Sequence, residues 1–238
     1  MSSLAPSFSS NKEANNYERL CRLLVDVGWQ VLRETFDRVR PPGSLHSVLA
    51  DPQIHAQLKS LQKKRVLSTP RWRKLYPVIK SSVSSRDFDS TLLVILLRNI
   101  CGLVPPATGW SNCPLVTDTT LQADITRILL YRNTVYSHAS NASVDNAAFS
   151  RYWKEIRDTL VRLGGSCYHG DIDGFENEIM DPEFEGHYLD LLKQWVEDDN
   201  SIEDKLEVQD DRGKKQSKLD DSEKPIVSSE RKREIDGW

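Results

Sequence analysis

Cysteine is scarce in this chain. Cys21, Cys101, Cys113 and Cys167 stand singly, without a CxxC pair and without histidines at zinc-finger spacing. That argues against a disulfide framework or a zinc module, and the thiols read as small core residues. Cys167-Tyr168-His169 is the nearest approach to a ligand pair, and it stands alone, so no metal or other cofactor is expected. Long apolar runs are absent too. The longest, Leu92 to Leu97, is far short of the ~20 residues that cross a bilayer, which leaves no expected membrane span. The opening residues Met1-Ser2-Ser3-Leu4-Ala5-Pro6 lack the basic and apolar regions of a secretory signal. A cytoplasmic protein is therefore the expectation, and Asn141-Ala142-Ser143 has no route to glycosylation. Nor is one sign of charge dominant: a net charge of -3 gives no whole-molecule attraction to nucleic acid.

What is present is helical periodicity. From about Asn16 to Val39, Leu20, Leu23, Leu24, Val27, Val31 and Leu32 recur at three- and four-residue intervals, ending at Pro41-Pro42-Gly43. Asp51-Pro52 is an N-cap followed by a proline at the first helical position, opening a segment with Ile54, Leu58 and Leu61 on one side. Thr91 to Cys101 is apolar nearly all round and closed by Gly102, as expected of a buried central helix. After an irregular connection from Leu103 to Pro114, Asp118 is expected to cap a helix with Leu121, Ile125, Ile128 and Leu129 on its apolar face. A further helix from near Asp145 carries Phe149, Trp153, Ile156, Leu160 and Leu163 up to Gly164-Gly165. A less regular segment through Met180 precedes a last helix from Asp181-Pro182. These elements make an all-α bundle with peripheral helices. Residues 1–14 read as a disordered leader, 15–207 as the helical domain, and 208–238 as a charged, low-complexity, disordered tail.

Two features carry chemistry. Lys59, Lys63, Lys64, Arg65, Arg71, Arg73, Lys74 and Lys80 form a basic stretch interleaved with Trp72 and Tyr76, the mixture that holds phosphates and stacks bases. A solvated helix face has the same composition. The second is Tyr131-Arg132-Asn133-Thr134-Val135-Tyr136-Ser137-His138. Arginine is a permanently charged phosphate clamp, and histidine exchanges protons near neutrality, with an unperturbed pKa of about 6.5. The same residues also suit a helix C-terminus, where a cation complements the dipole. The Arg98-Asn99 pair lacks a following histidine, and Arg98 is expected to pair with a carboxylate or with the motif helix. His46, His55, His169 and His187 read as surface or packing residues.

An arginine followed by asparagine, with a histidine five residues further on, resembles the signature of the HEPN domain, a helical bundle. The resemblance extends to the HEPN subfamily typified by the DAZ-interacting zinc-finger ubiquitin ligase. It is carried by Leu20-Cys21 through Phe36, His46 to Ala50, Leu96 to Leu103, Thr108-Gly109-Trp110, Gln122-Ala123-Asp124-Ile125, Tyr152-Trp153 and Leu160 to Gly165. Ser137 departs from the glycine expected before the histidine. No zinc-ligand set of a ubiquitin ligase is present, so ubiquitin transfer is not expected.

The resemblance implies RNA binding and, in catalytically competent members, metal-independent cleavage by a homodimer meeting across the motif helix. In that reading His138 is the acid or base, Arg132 the clamp, Asn133 an orienting amide, and Tyr136 a stacking ring. Lys63, Lys64, Arg71 and Arg73 would extend the RNA contact. The other reading is a non-catalytic module that binds RNA or signalling proteins, as in innate-immune and cell-death sensors. Both readings stay open at this level.

Overall fold

The computed structural model describes residues 7–177 and 186–198 of the chain. Its elements are α1 (Ser7–Arg22), α2 (Trp29–Val39), α3 (Leu45–Ala50), α4 (Pro52–Lys63), α5 (Thr69–Leu75), α6 (Ser90–Ile100), α7 (Leu121–Tyr136), α8 (Asn146–Gly164) and α9 (Tyr168–Asn177). A last helix, α10, covers residues 187–198. No strand occurs among the described residues, so the expected all-α bundle is what the chain forms.

The first helix and α2 are one rod, joined through a π turn at Leu23–Gly28. The extra residue per turn keeps Leu23, Leu24, Val25 and Val27 all buried, which an unbroken 3.6-residue repeat would rotate partly outward. The rod starts at Ser7, inside the expected leader. Glu13 there is engaged: its carbonyl accepts from the Val144 backbone N–H, and its carboxylate accepts from the Ser143 hydroxyl. Buried Asn16 donates to the Val144 carbonyl at 3.1 Å, pinning α1 to the start of α8. The expected tail at 208–238 lies outside the described residues, as does the expected start of the last helix at Asp181-Pro182.

Asp89 caps α6, accepting from the Leu92 N–H at 2.8 Å. Every residue from Thr91 to Leu97 is buried, the outcome foreseen for a run with no polar face. Each fully buried leucine here contributes about 1.5–3 kcal/mol relative to exposure. The α2 helix packs along α6, and Phe36 meets Phe88 edge-on at 6.1 Å. Arg98 lays its guanidinium over the Trp110 ring at 4.8 Å.

The most extensive helix pair is α7 with α8. Asp145 caps α8 through the Ala147 and Ala148 N–H groups, and Gly165 ends it with φ 103° and ψ 172°, a conformation open essentially to glycine alone. At Gly164 an added Cβ would lie 2.6 Å from the Tyr168 ring and 3.0 Å from Val31, so only glycine permits this approach. Residues 168–177, expected to be irregular, form α9 against α8.

Candidate nucleic-acid interface

The α7 helix begins at Leu121. Asp118 is not its cap: the Asp118 carboxylate accepts from the Thr120 backbone N–H and hydroxyl in the preceding turn. The Thr120 hydroxyl, first among the causes, holds that carboxyl below its usual range. Within α7 the buried residues include Ile125, Ile128, Leu129, Arg132 and Val135. Seven residues separate Ile125 from Arg132, nearly two whole turns. Arg132 therefore lies on the apolar stripe itself.

That position decides the environment of the motif arginine. Arg132 is 2% exposed. Its Nε and Nη2 donate to the Asn133 side-chain oxygen at 3.1 and 2.8 Å. Its guanidinium stacks 5.0 Å from the Trp195 ring of α10. Asn133 is exposed, but its oxygen is committed to Arg132. His138 lies in the turn beyond α7, half-buried, with its ring 6.2 Å from that of Tyr152 on α8. Ser137 keeps the helical path, and its hydroxyl donates to the Thr134 carbonyl at 2.6 Å. Tyr136 is half-buried against the core. Clamp and imidazole thus rest on different helices, Arg132 on α10 and His138 on α8.

The sequence reading missed a buried charge cluster about two turns earlier. Asp124, 2% exposed, accepts from Arg127 Nη1 at 2.6 Å and from Arg162 Nε and Nη2 at 2.9 and 2.7 Å. Arg127 also donates to the Leu115 carbonyl. Hydrogen bonding to Asp124 raises the Arg162 guanidinium above its ordinary value. The cluster joins Gln122-Ala123-Asp124-Ile125 to Leu160-Val161-Arg162-Leu163, two of the segments that carry the HEPN resemblance. The signal was a lone aspartate on a helix face otherwise expected to be apolar.

The basic stretch folds into α4, α5 and their flanking loops. Asp51 caps α4 through Gln53 and Ile54, and Ser68 caps α5. Lys59, Lys63, Lys64, Arg65, Arg73 and Lys80 are all exposed, and none makes an ion pair among the described residues. Arg71 differs: it pairs with Asp89 at 3.0 Å and with Asp198 of α10. Lys74 meets Asp89 at 3.3 Å. Trp72 and Tyr76 stack at 4.4 Å, and the His55 ring meets both edge-on. No Asp or Glu occurs between residues 52 and 86, while Lys and Arg occur throughout. No group of side chains suited to a metal ion occurs among the described residues, and no described helix is long and apolar enough to cross a membrane.

A family model described as DZIP3/hRUL138-like HEPN matches residues 42–188. The human E3 ubiquitin-protein ligase DZIP3 is 30% identical over 182 residues, covering 74% of this chain and 15% of that protein. Its mouse counterpart is 28% identical over the same length. The chain thus matches about 15% of the length of these relatives. No solved structure matches.

Proposed function

This chain belongs to the DZIP3/hRUL138-like HEPN family, and on that premise we propose that it is an RNA-binding module working through the α4–α5 face. The observation that carries the reading is the contrast between six exposed cations of α4, α5 and their loops, which make no ion pair among the described residues, and an Arg132 buried beneath Trp195. Phosphate contact needs a cation that water and ligand can reach. Lys63, Lys64 and Arg73 meet that need, with Lys59, Arg65 and Lys80 beside them. Arg132, whose guanidinium is stacked and hydrogen-bonded, acts as a positioning residue that ties α7 to α10.

Cleavage is not part of the proposal. Strand scission at a 2′-hydroxyl needs a base and an anion clamp that both reach one phosphate, and Arg132 is 2% exposed. Four free cysteines suit a reducing, cytoplasmic setting. Sensing of RNA for innate-immune or cell-death signalling is the wider role in keeping with the family.

The test is fluorescence anisotropy with a labelled single-stranded RNA over a range of salt. Lys63→Glu combined with Lys64→Glu is expected to weaken binding at least ~30-fold and to flatten the salt dependence, since each lost phosphate contact removes about 0.7 from the slope. His138→Ala is expected to bind as the parent does. Loss of binding in His138→Ala, with the double variant unaffected, would sink the reading.

A further inference from the structure

A cavity of about 250 Å³ lies among α3, α4, α5 and the loop that follows. Leu49, Leu75 and Tyr76 supply its apolar walls, and His46, His55 and Lys80 supply its polar groups. No carboxylate lines it among the described residues. The Tyr76 hydroxyl donates to the Leu49 carbonyl at 3.1 Å, and burial pushes the phenol up to about 12. That wall therefore stays neutral, and it packs against Trp72 and against the edge-on His55 ring.

We propose that this cavity seats one unstacked base of a single-stranded RNA whose backbone runs along the α4–α5 cations. The proposal rests on the RNA reading above. Three observations favour a base. The volume is under the ~300–1,000 Å³ of drug-sized ligand sites, which suits one flat ring better than a cofactor. Its walls are aromatic and aliphatic, as a stacked base requires. Its lining also belongs in part to the acid-free run between residues 52 and 86, and the exposed Lys80 on its wall continues the cations of that run.

Lysine only donates hydrogen bonds, so Lys80 selects a base edge that offers carbonyl acceptors. Uracil is the expected occupant. Val78 and Ile79 stand exposed on the same loop and would also suit an anionic lipid surface. The preformed aromatic cavity, which lipid contact does not need, favours the base.

The experiment compares a labelled uridine 10-mer with an abasic 10-mer of equal charge on the full 238-residue chain. Ala50→Phe, an exposed wall position at the end of α3, fills the cavity, and Lys80→Ala removes the donor without touching the core. Both are expected to weaken uridine binding about tenfold, in line with ~1–3 kcal/mol per stacked base; Ala50→Phe leaves abasic binding within twofold, and Lys80→Ala weakens abasic binding less than it weakens uridine binding. Equal binding of the two 10-mers by the parent, or Ala50→Phe and Lys80→Ala both binding uridine like the parent, would overturn the cavity assignment while the cationic reading stands. If Lys63→Glu with Lys64→Glu leaves abasic binding intact, the underlying RNA reading fails instead. Capture by phosphatidylserine vesicles that depends on Val78 and Ile79, without uridine preference, would assign the face to a membrane and overturn the proposal.

Discussion

Arg132 and Arg73 carry the same guanidinium, yet one is 2% exposed beneath an indole and the other stands in water on a seven-residue helix. Both sit in segments that read as phosphate binders. On α7 the arginine falls on the hydrophobic repeat, so folding carries it into the core and supplies Asn133 and Trp195 as partners. On α5 only Leu75 is buried; Arg71 and Lys74 are paired with Asp89, and the exposed Arg73 keeps its charge available. Period within the helix, more than residue type, separates an arginine that holds the fold from one that can hold a ligand.

The largest effect on the closed side is expected at Asp124. Asp124→Ala leaves Arg127 and Arg162 without their shared carboxylate, and breaking such a buried pair costs about 3–5 kcal/mol. Urea denaturation should show it, and a loss below about 1 kcal/mol would mean water takes over the arginines. Arg132→Ala comes next, at about 2 kcal/mol for a desolvated cation on a ring, with RNA affinity unchanged. If stability held and RNA binding fell, the contrast between the two faces would be broken. Gly164→Ala forces the Tyr168 ring aside, with an expected cost of about 1–3 kcal/mol and no effect on RNA.

A pH test follows from Asp145. The Ala148 and Ala147 N–H groups hold its carboxyl below the usual range, so this stabilisation is present above about pH 4, the range of unfolded carboxyls, and is lost as pH falls through the folded value. The Tm difference between Asp145→Asn and the parent should therefore shrink in acid. A difference constant down to pH 2 would mean the charge plays no part. Smallest of all, Lys63→Glu with Lys64→Glu should change stability by less than about 0.5 kcal/mol, because both side chains are exposed and unpaired.

Helical periodicity made most of the bundle legible. Asp51 read correctly as a cap, and a helix start near Asp145 was legible, because each stands just before a periodic apolar run. Asp118 misled because Thr120 intervenes and takes its hydrogen bonds. The π turn was hidden, since Leu20, Leu23, Leu24, Val27 and Val31 also fit the three- and four-residue spacing of a regular helix. At the motif, the residues were legible and their environment was not. Trp195 lies more than sixty positions from Arg132, and no local pattern announces that α10 covers it. The same long separation hid the pairing of Arg71 with Asp198.

Hydrogen exchange on the full chain, with and without saturating single-stranded RNA, tests the central claim most directly. The account expects new protection in residues 52–80 and no change across 131–138. Protection confined to 131–138, with α4 and α5 exchanging as in the free protein, would contradict it.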